Sequence, residues 1–158
     1  MDFPHPPVHH TAQRAADTPP AALAPVPRSA WGRVTLVGAG PGDAELLTLK
    51  AARVLASASL VLYDHLVSKD VLQHVPTGAE LIYVGKQSSN HSLPQEGIID
   101  LMVRLAQSGR SLVRLKGGDP YIFGRGGEEV EALAAEGIAC ETVPGISAAQ
   151  GAAAATGI

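Results

Sequence analysis

The sequence has a single cysteine and no run of basic residues, and both absences exclude classes of protein. With Cys140 alone, no internal disulfide and no cysteine-based zinc cluster can form, which fits a reducing cytosol. We expect this thiol to be a small buried apolar group. Lysine and arginine number 12 against 15 acidic residues, for a formal net charge of −3. A chain of this charge without basic clusters is not expected to bind nucleic acid or an anionic membrane.

A long apolar segment is also missing from the sequence. No stretch approaches the roughly 18 apolar residues that cross a membrane, and the first residues lack the basic-then-apolar order of a signal peptide. The 158 residues suffice for one domain with a hydrophobic core. We therefore predict a cytoplasmic protein that acts on small molecules.

Residues 1–31 differ in composition from the rest of the chain. They are rich in proline and alanine and contain almost no large apolar residue, so they cannot bury enough surface to become ordered. We predict a disordered tail over 1–31 and an α/β domain over 32–158. His5, His9 and His10 in the tail have no further ligands near them, and no metal site is predicted.

From Arg33 onward, short apolar runs alternate with segments of helical periodicity. This repeat predicts an α/β fold: a mostly parallel five-stranded sheet with helices on both faces and right-handed crossovers. The predicted strands are 34–37, 60–63, 81–84, 112–115 and 139–143. The predicted helices are 44–56, 68–74, 94–107, 128–136 and one from Ser147 to the last residue. Because that helix reaches Ile158 with no polar or flexible ending, we expect a truncated or split protein.

The loop after the first predicted strand reads Gly-Ala-Gly-Pro-Gly-Asp over 38–43. Together with Asp64 after the second strand, it suggests a dinucleotide-binding fingerprint. However, Pro41 has no N–H for a phosphate, and Asp43 would repel a pyrophosphate at the helix start. A Walker loop also fails, because Gln87 follows Gly85-Lys86 where serine or threonine is required. The first loop therefore favours a ligand without phosphates.

Polar residues end three predicted strands: Asp64, Lys86 and Asp119. Because parallel strands end at one edge of a sheet, these side chains are expected to gather there. They could form a structural ion pair, or a site that needs a base, a cation and an acceptor. The stretch 113–127 could likewise be an ordinary strand-to-helix connection or the floor of a ligand site. S-adenosylmethionine, a cationic cofactor without phosphates, suits the second interpretation.

Several motifs together resemble the uroporphyrinogen-III C-methyltransferases, which are tetrapyrrole methylases. The resemblance spans about residue 33 to the end, and the Arg-Leu-Lys-Gly-Gly-Asp-Pro run over 114–120 separates it from the precorrin methyltransferases. The matching motifs lie at 38–43, 47–50, 63–64, 85–86, 113–127 and 143–147.

This resemblance implies the first domain of a tetrapyrrole methylase, with the second domain missing. It also implies two successive methyl transfers from S-adenosylmethionine to uroporphyrinogen III, giving precorrin-2 for sirohaem or cobalamin, without a metal. Asp64 is then the proton acceptor and Lys86 the proton donor. Arg125 is a candidate for binding the carboxylates of the substrate, or could equally pair with Glu128 or Glu129. The residues implied to line the cofactor are Pro41, Gly117, Gly118, Asp119, Ile122, Ser147 and Ala148.

Because the family places its cofactor between two domains, we expect this chain alone to bind the cofactor weakly and to turn over little substrate. An alternative is an inactive or split-subunit fragment that binds cofactor or substrate only with a partner domain. A nicotinamide-dependent oxidoreductase is a more distant alternative. The resemblance further implies a homodimer when the protein is complete.

Overall fold

The computed structural model describes residues 25–85 and 94–158, within which the chain forms five strands. They are β1 Val34–Gly38, β2 Leu60–Tyr63, β3 Glu80–Tyr83, β4 Leu112–Lys116 and β5 Cys140–Val143. The strands form one sheet in the order β3-β2-β4-β1-β5, and every neighbouring pair is parallel. The predicted five-stranded parallel sheet is confirmed.

Helices cover both faces of this sheet. They are α1 Leu49–Ala56, α2 Lys69–Leu72, α3 Gln95–Gln107, α4 Gly126–Ala135 and α5 Ala148–Thr156. Successive strand residues point to opposite faces, so the buried strand residues divide into two cores. Leu36 and Leu112 pack with residues of α3 and α4, whereas Val37 packs with residues of α1 and α2. The prediction of helices on both faces is confirmed.

The helix predicted over 44–56 is wrong at its start. Ala44–Leu46 forms only a 3₁₀ turn, and α1 begins at Leu49 because the hydroxyl of Thr48 accepts a hydrogen bond from the Ala51 N–H at 3.1 Å. The Asp43 carboxylate caps the short turn through the Glu45 N–H. Both residues are good N-caps, and two caps five residues apart divide one apparent helix into two pieces.

Residues 25–31 of the predicted tail lie within the described part of the chain. Part of the predicted tail, residues 25–31, contains a 3₁₀ turn at Arg28–Ala30, and the Trp31 indole donates to the Val26 carbonyl at 3.0 Å. Trp31 packs against the core on the α3 and α4 side. Residues 1–24 lie outside the described part of the chain.

None of the helices in the described ranges is long and apolar enough to cross a membrane.

Replacing Leu133 of α4 by alanine tests the core between α4 and the sheet. Leu133 is fully buried, so we expect Leu133→Ala to lower the free energy of unfolding by about 2–5 kcal/mol. Leu49→Ala is the matched control, because Leu49 is 83% exposed and its removal should change stability by less than about 0.5 kcal/mol. Urea denaturation measures both, and equal losses would contradict the assigned core.

Cys140 on β5 should react slowly. Its burial, and secondarily the charge of Glu129, raises the pKa of the thiol from 9.0 to about 11. Because the thiolate is the nucleophile, a rise of two units lowers the reactive fraction by about 100-fold at pH 8. We expect alkylation by iodoacetamide to be about 100-fold slower in the folded than in the urea-denatured chain. Similar rates in both states would show that this thiol is not protected.

Candidate active site

The strand order creates a crevice between β1 and β4. From β1 the chain crosses to β2 through α1 on one face, and from β4 it crosses to β5 through α4 on the other. The two connections leave neighbouring strands in opposite directions. In open α/β sheets, ligands bind outside the carboxyl ends of the strands at such a switch point. The loops that carry the predicted site residues begin there.

The loops after β1 and β4 contact each other through their backbones at this crevice. Gly40 and Gly118 exchange hydrogen bonds of 3.2 and 2.8 Å, which pair the loops after β1 and β4. A Cβ at Gly38 would lie 2.6 Å from the Gly145 nitrogen, and one at Gly145 would lie 2.3 Å from the Gly118 carbonyl oxygen. Glycine is therefore required where these loops converge. Sequence reasoning did not identify Gly38 or Gly145 as site residues.

A cavity of about 1100 Å³ lies over this convergence. All predicted site residues within the described ranges line it: Pro41, Asp64, Gly117, Gly118, Asp119, Ile122, Arg125, Ser147 and Ala148. Lys86, the predicted proton donor, lies outside the described residues. The structure thus brings together residues that are more than one hundred positions apart in the sequence.

Pro41 joins the first loop to α5. A Cβ at Gly151 would lie 2.5 Å from the Pro41 Cβ, so the proline ring is seated directly against the helix. The helix is fixed at its start by Ser147, whose hydroxyl accepts from the Gln150 N–H while the Gln150 side chain accepts from the Ser147 N–H. This capping box holds Ser147 and Ala148 at the wall of the cavity.

Asp119 connects two of the site loops. Its Oδ1 accepts from the Tyr121 N–H at 2.9 Å, and its Oδ2 accepts from the Gly145 N–H at 3.0 Å. The first bond shapes the turn after β4, and the second reaches the loop after β5. Since each carboxylate oxygen can accept more than one hydrogen bond, the side chain retains acceptor capacity toward the cavity.

Asp64 follows β2 and is oriented by two donors. Its Oδ1 accepts from the Leu66 N–H at 3.0 Å, and its Oδ2 lies 3.3 Å from Nη2 of Arg114. The side chain is 19% exposed, while that of Arg114 is 3% exposed. The carboxylate is therefore held by backbone on one side and by a buried guanidinium on the other, with access to the cavity.

Arg125 opens α4 in a left-handed conformation with a φ of 56°. Its guanidinium donates twice to Glu128, at 2.8 and 2.6 Å, so of the two partners considered from sequence it pairs with Glu128. This hydrogen bonding raises the pKa of Arg125 and lowers the pKa of Glu128. Both side chains are half exposed. The pairing leaves Arg125 at the rim of the cavity, where its contact with a substrate stays a prediction.

Two buried cations in the site were missed by sequence reasoning. Arg114 and Lys116 of β4 are 3% and 4% exposed, and both line the cavity. Burial lowers the pKa of Lys116, the nearby charge of Arg114 lowers it further, and Glu129 opposes both effects. The signal was present in the sequence, since two charged residues alternate with apolar ones in a central strand that should be buried.

Within residues 25–85 and 94–158, no group of three or more His, Cys, Asp or Glu residues is arranged to hold a metal ion.

The chain is similar to known proteins over the residues that form this site. The family Tetrapyrrole (Corrin/Porphyrin) Methylases matches residues 33–158. Siroheme synthase 1 of Pectobacterium atrosepticum is 59% identical over 133 residues, which cover 84% of this chain and 28% of that protein.

Two solved structures are also similar. Uroporphyrin-III C-methyl transferase from Thermus thermophilus complexed with S-adenyl homocysteine is 52% identical, with a TM-score of 0.62, over 73% of this chain and 46% of that one. A cobalamin biosynthetic enzyme, cobalt precorrin-4 methyltransferase, is 34% identical, with a TM-score of 0.68, over 86% and 54%.

The chain thus spans about half the length of these solved structures and less than a third of the siroheme synthase. The match to the family covers nearly all of the described domain, from Arg33 to Ile158. The chain belongs to the tetrapyrrole (corrin/porphyrin) methylase family.

Proposed function

We propose that this chain forms the cofactor-binding part of an S-adenosylmethionine-dependent methyltransferase that converts uroporphyrinogen III to precorrin-2. The observation that carries the proposal is the cavity at the β1 and β4 switch point, which is lined by every described residue that the family resemblance assigns to the site. The similarity to a uroporphyrin-III C-methyl transferase complexed with S-adenyl homocysteine supports the choice of cofactor. When bound, S-adenosylmethionine supplies an electrophilic methyl group.

The residues of the cavity fit such a cofactor. Pro41 offers no N–H to a phosphate. Gly117 and Gly118 line the cavity without adding side chains to it, and the position of a Gly117 Cβ is taken by Leu66. Two carboxylates, Asp64 and Asp119, supply acceptors for hydroxyl and ammonium groups. The cavity volume of about 1100 Å³ leaves room beside the cofactor for part of a large substrate.

Asp64 is the residue proposed to accept the proton that a pyrrole carbon loses after methylation. The Leu66 N–H fixes Oδ1, and Arg114 approaches Oδ2, so the carboxylate has one orientation toward the cavity. A positioned base of this kind contributes roughly 10²–10⁴-fold to a rate. Lys86 is proposed as the proton donor. Arg125 at the rim is proposed to exchange its pairing with Glu128 for a carboxylate of the substrate.

We further propose that the complete protein is a cytoplasmic homodimer that uses no metal ion. The single cysteine and the lack of a signal peptide in the sequence favour the cytoplasm, and the family resemblance implies the homodimer.

Asp119→Asn tests the cofactor site. Asparagine can keep the bond to the Tyr121 N–H but offers an NH₂ group, instead of an acceptor, to one of the two N–H groups that the carboxylate binds. The change also removes the charged acceptor that we propose for a hydroxyl or ammonium group of the cofactor. A hydrogen bond to a charged group is worth about 1.5–3 kcal/mol, so affinity for S-adenosylhomocysteine should fall by about 10-fold or more. Isothermal titration calorimetry on the chain measures this loss. Asp70→Asn, an exposed change on α2, is the control and should leave the affinity unchanged, and equal affinities for both variants would contradict the assignment.

Asp64→Asn tests the proton acceptor in a protein that joins this domain to the remainder of a full-length relative. The carbonyl of the introduced asparagine can still accept from the Leu66 N–H, so the loop should keep its shape while the base is lost. We expect kcat for methylation of uroporphyrinogen III to fall about 10²–10⁴-fold, with affinity for S-adenosylhomocysteine changed by less than about 3-fold. Parallel losses of kcat and affinity would instead indicate a binding role for Asp64.

A further inference from the structure

Glu129 of α4 is a fully buried carboxylate that the proposed reaction does not use. Its side chain is 0% exposed, although acidic residues are almost never fully buried unless they are paired. It lies one helical turn before Leu133 and therefore on the same face of α4, which packs on the sheet. Arg114 and Lys116 project from the facing surface of β4, on the same side as Leu112.

The contacts of Glu129 are concentrated on one oxygen. Oε1 accepts from Lys116 Nζ at 3.1 Å, from Gln95 Nε2 at 3.1 Å and from Arg114 Nε at 3.4 Å. Oε2 is buried and has no hydrogen-bond partner among the described residues. Glu129 Oε1 thus brings two cations and α3 to a single point.

Arg114 carries the influence of Glu129 to the site. Its Nε contacts Glu129, its Nη1 donates to the Leu115 carbonyl at 3.0 Å, and its Nη2 reaches Asp64 at 3.3 Å. A planar guanidinium bound at all three nitrogens cannot rotate independently of its partners. The orientation of the Asp64 carboxylate is therefore coupled to the position of Glu129.

We infer that Glu129 is a positioning residue of this site: its carboxylate holds the Arg114 guanidinium beside Asp64 and the Lys116 ammonium at the wall of the cavity. With both cations held there, the cavity offers positive charge to an anionic group, such as a carboxylate of the tetrapyrrole substrate. The inference rests on the proposed function only for the chemical roles of Asp64 and of that substrate.

The charged groups that face Lys116 determine the direction in which its pKa moves when Glu129 is changed. Arg114 on β4 disfavours its protonated form, whereas Glu129 on α4 and Asp64 after β2 favour it. Burial lowers the pKa of Lys116, and Glu129 counteracts that effect by charge and by a hydrogen bond. Removing the charge of Glu129 must therefore lower the titration midpoint of Lys116 further.

The experiment is an NMR titration of the chain labelled with ¹³C at lysine Cε, with Lys116 assigned by the loss of its signal in Lys116→Met. In Glu129→Gln we expect the Lys116 midpoint to move down by about one pH unit or more, since an opposite charge at this range shifts a pKa by roughly 1–3 units. Glu129→Asp retains the charge and should restore the midpoint most of the way. Glu128→Gln is the matched control, because Glu128 is the preceding residue on α4, half exposed and paired with Arg125. Because Glu128 and Lys116 interact through charge, we expect a downward shift of the midpoint that is much smaller than the shift in Glu129→Gln.

A Glu129→Gln chain with a lowered melting temperature but an unchanged Lys116 midpoint would overturn the inference, because Glu129 would then act only in packing. So would an equal shift in Glu128→Gln, or a Glu129→Asp midpoint as low as that of Glu129→Gln. If Glu129→Gln does not fold, the wild-type chain decides: the Arg114 Nε–H proton should exchange slowly with solvent, and rapid exchange at pH 7 would overturn the inference. Neither measurement needs cofactor or substrate, so failure of the proposed function would leave both results interpretable.

Discussion

The close approach of three loop backbones at the carboxyl edge of the sheet is the constraint on which the site depends. A Cβ at Gly38 or Gly145 would lie 2.7 or 2.3 Å from the Gly118 carbonyl oxygen, so glycine at these two positions lets the main chains after β1, β4 and β5 come into contact. The Asp119 carboxylate can bridge from one loop to another only because they are this close. The shape of the cavity therefore depends on glycines that have no side chain as well as on the groups that line it.

Much of this architecture could be predicted from the sequence because the physics is local. Short apolar runs followed by glycine or aspartate indicate strands that end at a polar edge, and all five strands were found. Pro41 and Asp43 argued against a phosphate ligand through the chemistry of single residues. The start of α1 was misplaced because Asp43 and Thr48 are both competent caps, and sequence alone did not show that the chain uses both.

The buried charged residues could not be predicted in the same way, because their burial depends on partners that come from distant parts of the sequence. Glu129 follows Glu128 in a helix that looks polar at its start, and only the packing of α4 shows that one is buried and the other exposed. Arg114 and Lys116 were not singled out from the sequence, and their partners come from two other elements. Sequence reasoning identified the residues that line the cavity better than the buried residues that contact them.

The single oxygen of Glu129 that serves two cations also has an evolutionary consequence. Loss of Glu129 alone would leave Arg114 and Lys116 with excess positive charge in the interior, and loss of either cation would deprive Glu129 of a partner. Contacting residues of this kind have strongly non-additive effects, so the three positions form one mutational unit. A descendant sequence that abandons this cluster would have to pass through a less stable intermediate or change several positions together, which makes the charge pattern difficult to lose gradually.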